Sequence, residues 1–128
     1  MSYYFSKSTD ASFEETLTKV TDELKNEGFG ILTEIDVKDT LKKKLDVNFQ
    51  KYKILGACNP PFAYKALQTE NKIGMLLPCN VIVQELPDGN VEVAAIDPVQ
   101  SMQVVENPAL KIIVDQIQAK LRSVISNI

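Results

Sequence analysis

Two short segments of the sequence carry the side chains best suited to chemistry. Cys58 and Asn59 stand directly before a pair of prolines, and Cys79 and Asn80 stand directly after another proline. Two thiols at one mouth suit a soft ligand such as Cu(I), a persulfide or a reversible disulfide, and the asparagine amides would add hydrogen-bond donors. The sequence therefore predicts a cleft that binds a small molecule or a soft metal, with Cys58 and Cys79 as the ligands of any metal.

The spacing of the two cysteines allows them to meet. A helix over residues 61–70 rises about 15 Å, and an extended return over residues 74–78 covers about 16 Å. The excursion comes back to its starting point, so we expect Cys58 and Cys79 to be neighbours. Lys65 lies on the intervening helix and is predicted to line the same cleft, with an ordinary surface lysine as the alternative.

Three other interpretations stay open. Free cysteine is among the most buried residue types, and asparagine beside proline is common in turns, so both segments are also consistent with a purely structural role. Neither thiol belongs to a Cys-x-x-Cys motif. The alternatives are a thiol-based redox or sulfur-transfer enzyme, with Cys58 as nucleophile and Cys79 as resolving thiol, and an interaction module that acts through its dimer surface.

The composition excludes several classes of site. The chain has no histidine, which removes the usual general base of serine and cysteine hydrolases, the imidazole ligands of zinc and the axial histidine of haem. Gly28 and Gly30 are not followed by the third glycine of a dinucleotide fingerprint, and no Walker lysine loop occurs. No cofactor is predicted, and the sequence does not decide whether the protein is an enzyme.

Length and charge limit the organisation and the partners. The 128 residues are predicted to form a single domain, residues 1–128, with 14 basic and 17 acidic side chains and a net charge of −3. An acidic chain of pI 5.0 opposes nucleic-acid binding. The lysine-rich residues 38–53 are expected to form a solvated surface, with an acidic partner as the alternative. The chain shows no secretory signal and no apolar run of membrane-spanning length, so we expect a cytoplasmic protein with reduced thiols.

Hydrophobic periodicity predicts strands alternating with helices. A capping box of Ser12 and Glu15 opens an early helix that Gly28 ends, and residues 29–35 alternate as a strand. Residues 79–86 and 91–96 form a hairpin around a turn at residues 87–90. Asp36, Asp97 and Asn107 are predicted helix caps, and the longest helix follows Asn107.

This pattern favours an α+β fold with a curved antiparallel sheet of about five strands. Two long helices, together with short helices, would cover one face of the sheet. Several strands are apolar on both sides, as Val81 and Val83 are against Ile82. We therefore expect the second face to be buried against another copy of the chain in a homodimer.

Two segments resemble a known family. Residues 56–60 (Gly-Ala-Cys-Asn-Pro) and residues 77–81 (Leu-Pro-Cys-Asn-Val), with Asp97 and Pro98 downstream, are similar to the bacterial and archaeal domain-of-unknown-function family three-hundred-and-two. The resemblance spans essentially the whole chain. It implies a small α+β domain with half of the TATA-binding-protein-like topology, usually seen as a dimer, and it implies no catalytic residues.

Overall fold

The structure, a computed structural model, describes residues 2–128. A helix follows each of the first three strands, one short 3-10 helix precedes the fourth strand, and two helices follow the fifth strand. The elements are β1 (Tyr4–Thr9), α1 (Phe13–Asn26), β2 (Gly30–Asp36), α2 (Val37–Leu45), β3 (Tyr52–Cys58), α3 (Pro60–Thr69), the 3-10 helix (Ile73–Leu76), β4 (Cys79–Glu85), β5 (Val91–Ile96), α4 (Pro98–Ser101) and α5 (Leu110–Ser126).

The five strands form one antiparallel sheet in the order β1-β5-β4-β3-β2. The central pairing sets Leu55 of β3 opposite Val81 of β4, and Ala57 opposite Cys79. β2 joins the edge of β3 with a register shift between Ile31 and Thr33, so Leu32 lies in a bulge. The predicted α+β class with a five-stranded antiparallel sheet is confirmed.

The two faces of the sheet differ in burial. Alternate residues of β4 and β5, including Val81, Val83 and Val93, are fully buried beneath α1 and α5. Their neighbours along the strands, such as Ile82 and Ala94, are only partly buried. Successive side chains of a strand point to opposite faces, so the helices cover one face, and we call the other the open face.

Local signals in the sequence position most of the helices as predicted. Ser12 accepts a hydrogen bond from the backbone of Glu15 at 3.1 Å and caps α1, and Asp36 and Asp97 cap α2 and α4 in the same way. Gly28 adopts a φ of +86° beyond the end of α1, a backbone conformation that glycine adopts without steric cost.

The prediction that Asn107 caps the last helix is confirmed in part. α5 begins at Leu110 with Ala109 as its N-cap residue, and the side-chain oxygen of Asn107 accepts a hydrogen bond from the backbone of Ala109 at 3.2 Å. The Asn107 amide nitrogen also donates to the carbonyl of Thr69 at 3.0 Å. Asn107 therefore ties the start of α5 to the end of α3, which a local capping pattern does not reveal.

The return from α3 to β4 is more compact than the predicted extended chain. Ile73–Leu76 forms a 3-10 helix, and Ile73 is buried in a small hydrophobic cluster with Ala66, Leu110 and Val114. This cluster is separate from the main core beneath the sheet. The smaller cluster is formed by α3, the 3-10 helix and the first turns of α5. In residues 2–128 we find no helix with both the length and the apolarity needed to cross a bilayer.

Candidate functional site

A cavity of about 300 Å³ lies where β3 ends and β4 begins, and it is bordered by α3, α4 and α5. Its wall combines residues from the main core with residues from the smaller cluster. The space opens to solvent at a rim that includes Leu32 and Leu67, and a concave apolar site of this kind is typical of small-molecule binding sites. The lining residues are Phe29, Leu32, Ala57, Cys58, Asn59, Phe62, Ala63, Ala66, Leu67, Gly74, Leu77, Pro78, Cys79, Pro98, Met102, Ile113, Val114 and Ile117.

Small side chains on the β3–β4 excursion leave this space open. Ala57 ends the buried part of β3, Ala63 and Ala66 lie on α3, and Gly74 lies in the 3-10 helix. Large side chains of the wall come both from the excursion, as Phe62 does, and from surrounding elements, as Ile117 of α5 does. Among residues 2–128, Asn59 is the one residue of the wall with a side-chain amide, and no charged residue lines the cavity. The wall therefore suits an uncharged, apolar occupant.

The pairing of β3 with β4 brings the two cysteines back together, and both line the cavity. Cys79 is paired with Ala57, so Cys58 is displaced from it by one residue and alternates to the opposite face of the sheet. A disulfide requires Cβ vectors that converge. The alternation of the strands therefore opposes a direct bond between Cys58 and Cys79, even though their backbones are adjacent.

The two thiols have different environments. Cys79 is 6% exposed, whereas Cys58 is half-buried. Burial of the Cys79 thiol, with a further contribution from the nearby Cys58, raises its pKa from 9.0 to about 11. A protonated thiol is a poor nucleophile and a poor metal ligand. At neutral pH, Cys79 therefore contributes a neutral, weakly polar surface to the cavity.

The side-chain amide of Asn59 is bonded to the backbone of another element and is not free to bind a ligand in the cavity. It is 7% exposed, and its amide donates to the backbone carbonyl of Glu27 at 3.1 Å. The same amide nitrogen would lie 3.1 Å from a Cβ placed on Gly28. Asn59 thus fastens the start of α3 to the turn between α1 and β2, and it holds one wall of the cavity in place.

The other two predicted site residues lie outside the cavity. Asn80 is exposed and follows Cys79 in β4, so strand alternation directs it to the open face. Lys65 is exposed on α3, with its ammonium 5.7 Å from the centre of the Phe62 ring. It packs behind a wall residue without lining the cavity itself. The structure thus brings Cys58, Asn59 and Cys79 together and leaves Asn80 and Lys65 apart.

Several wall residues that the sequence did not predict come from elements far from the cysteines along the chain. Leu32 reaches the cavity from the bulge in β2 and is 67% exposed at its rim. Met102 and Ile113 come from the far end of the chain. Their apolar character and helical spacing were visible in the sequence, but only the tertiary packing of α4 and α5 shows that they face α3.

The residues present do not form a larger metal-binding group. Among residues 2–128 there is no cluster of three or more cysteine and carboxylate side chains arranged to hold a metal ion. A soft metal at this site would rest on the two cysteines alone, and Cys79 would have to lose a proton in apolar surroundings.

Comparison with known proteins identifies relatives of the whole chain. The family model described as "Domain of unknown function DUF302" matches residues 5–128. A solved structure of an uncharacterised conserved DUF302 protein from Bacillus stearothermophilus has a TM-score of 0.91 and 26% sequence identity, and the match covers 99% of this chain and 98% of that one. No curated protein matches the chain.

Proposed function

Because the chain belongs to the DUF302 family, whose description names no activity, we propose from the geometry of the site that it binds a small, uncharged, predominantly apolar molecule. The observation that carries this proposal is the cavity of about 300 Å³ between the two hydrophobic clusters. Its wall has no charge, and its small residues lie together on one excursion of the chain.

The volume limits the size of the ligand. An apolar cavity of about 150 Å³ holds one benzene molecule, so a cavity twice that size accommodates about 12 non-hydrogen atoms. Two fused aromatic rings or a branched hydrocarbon of similar size would fill it. Exposed apolar residues at the rim, Leu32 and Leu67, would extend the contact where the cavity opens to solvent.

The state of the thiols supports an uncharged ligand over a soft metal. The raised pKa of Cys79 keeps its sulfur protonated at neutral pH, and an ion would need compensating charge that the wall does not supply. The same features weigh against a redox pair. Cys58 would lack a reactive partner, and the two side chains start from opposite faces of the sheet.

Ligand binding can be tested with two molecules of the same ring system. We expect 1-naphthol, which is neutral at pH 7, to bind saturably and to shift the amide resonances of α3 and β4 in nitrogen-proton spectra. Naphthalene-1-sulfonate carries a permanent charge on the same rings, and we expect it to bind at least about tenfold more weakly because the site would desolvate that charge.

A cavity-filling substitution locates the binding. Ala63→Phe on α3 places a ring inside the cavity, and we expect it to weaken 1-naphthol binding at least about tenfold with retention of the fold. The matched control is Ala119→Phe, which adds the same ring on the exposed side of α5. Equal naphthol affinity in Ala63→Phe and the unmodified protein, both folded by circular dichroism, would contradict the proposal.

A further inference from the structure

A second concave site lies on the open face of the sheet, where Tyr3 and Tyr4 approach Tyr52. The first two rings are 5.1 Å apart between centroids and inclined by 75°, so they form a corner. The floor consists of aliphatic side chains from β4 and β5, Ile82, Ala94 and Ile96. We call this site the tyrosine pocket, and it shares no residue with the apolar cavity.

One carboxylate borders the tyrosine pocket. Glu92 accepts a hydrogen bond from the Gln84 amide at 2.8 Å, and the Gln84 carbonyl oxygen accepts in turn from Gln50 at 2.8 Å. This chain of amides fixes the orientation of Gln84 so that its donor faces Glu92. Within residues 2–128, Glu92 forms no ion pair with a lysine or arginine.

Basic side chains are absent from the pocket, and the nearest strands direct theirs elsewhere. Lys7 of β1 donates to the carbonyl of Ser126 in α5, and Lys53 of β3 bonds to Glu34. Lys7 is paired with Val93 and Lys53 with Val83, both buried beneath the helices, so both lysines lie on the helix-covered side of the sheet. Among residues 2–128, the residues that form the tyrosine pocket therefore present one negative charge and three aromatic rings without a cation. The lysines that share a neighbouring pocket with Tyr52 are Lys38, Lys51 and Lys53.

Aromatic rings that meet at an angle beside a carboxylate fit the chemistry of organic cations. The faces of the rings are electron-rich and attract an ammonium ion, and they also contact its methyl groups. Burial, with the nearby Tyr3 and Glu92, raises the pKa of Tyr52, which keeps its hydroxyl neutral beside the carboxylate. We propose that the tyrosine pocket binds a small organic cation, a methylated or alkylated ammonium ion, with Glu92 as its counter-charge.

A second copy of the chain fits this face less well than a cation does. The open face carries no lysine or arginine on the residues that form the pocket, so a partner presenting the same surface brings no charge to neutralise Glu92. Burial of an unpaired carboxylate is costly. The expected homodimer is therefore a competing outcome of the test below.

The test compares choline with 3,3-dimethylbutan-1-ol, which has the same shape and no charge. The chain lacks tryptophan, and three of its four tyrosines line the pocket, so intrinsic tyrosine emission reports binding directly. We expect saturable binding of choline and at least about tenfold weaker binding of the neutral alcohol. Equal binding of the two compounds, or no saturable response to choline, would overturn the proposal.

Variants separate charge from ring contact. Glu92→Gln keeps the size and one hydrogen bond of the side chain, and we expect at least about tenfold weaker choline binding. Glu106→Gln removes the same charge from an exposed site bordering a different pocket and should leave binding unchanged. Tyr52→Phe should retain binding, whereas Tyr52→Leu should lose it. Each variant is compared after circular dichroism confirms its fold.

Light scattering at the same protein concentrations completes the test. A monomer that binds choline supports the proposal. A dimer in which the tyrosine emission is insensitive to choline, and which Glu92→Gln tightens, shows instead that a second copy covers this face and overturns the proposal.

Discussion

The apolar cavity and the tyrosine pocket are built from the same sheet by opposite means. The cavity exists because small residues on α3 and the 3-10 helix leave space, and its polar groups are held neutral or engaged by the backbone. The tyrosine pocket exists because large rings rise from strand ends around one carboxylate. In this comparison, the charge of the wall, more than the volume of the site, determines which ligands fit each site.

The largest expected effect is the difference in reactivity of the Cys79 thiol between the folded and the unfolded chain. The pKa of Cys79, raised to about 11, leaves on the order of one hundredth of the thiolate that an ordinary cysteine has at neutral pH. We expect alkylation of folded Cys79 by iodoacetamide to be at least about 100-fold slower than in urea, as mass spectrometry of digested protein would measure. Rapid alkylation of Cys79 in the folded chain would show that the cavity wall is polar and solvated, against our description.

Gly56 lies in β3 between Tyr52 of the tyrosine pocket and Ala57 of the cavity wall, and its substitution tests how tightly Thr33 and Pro78 pack against β3. A Cβ at this position would clash with the Thr33 hydroxyl and come within 2.8 Å of the Pro78 ring. We expect Gly56→Ala to lower the free energy of unfolding by about 2 kcal/mol, as overpacking does. Urea denaturation measures the change.

Thr33 supplies the control for that substitution. Thr33→Ala removes the hydroxyl that clashes with the new methyl group, so Gly56→Ala should cost less in the Thr33→Ala background. Equal costs in the two backgrounds would mean that β2 does not press on β3 at this point.

The smallest effect concerns stability at alkaline pH. An unfolded cysteine ionises near pH 9.0, whereas folded Cys79 keeps its proton up to about pH 11. The unfolded state therefore loses its proton first, and stability falls as the pH rises through this window, by on the order of 1 kcal/mol at pH 10. Urea midpoints at pH 7.5 and 10 would show this loss, reduced in Cys79→Ala and retained in Cys58→Ala.

Much of the fold was readable because its signals are local. The capping box at Ser12, the glycine stop at Gly28 and the hairpin of β4 and β5 each depend on residues a few positions apart. The bond from Asn107 to the carbonyl of Thr69 was not predictable because that partner lies far away in the sequence. A side chain that accepts a hydrogen bond at the start of a helix can also donate to another element, and only the packing of α3 against α5 shows the second bond.

The candidate site was partly predictable for the same reason. The meeting of Cys58 and Cys79 follows from the length of the excursion, and the structure places both in the cavity wall. Asn80 was misplaced because the alternation of β4 directs neighbouring residues to opposite faces. The ligand-binding role of these residues, like the homodimer, stays a prediction.

The excursion from β3 to β4 supplies most of the cavity wall from a single stretch of sequence. Eleven of the eighteen residues that border the cavity fall within residues 57–79, and the strands at both ends of this stretch are locked by direct pairing. Substitutions within residues 57–79 would therefore alter most of the cavity wall at once. The pairing of β3 with β4 would hold both ends of the stretch in place while its sequence changes.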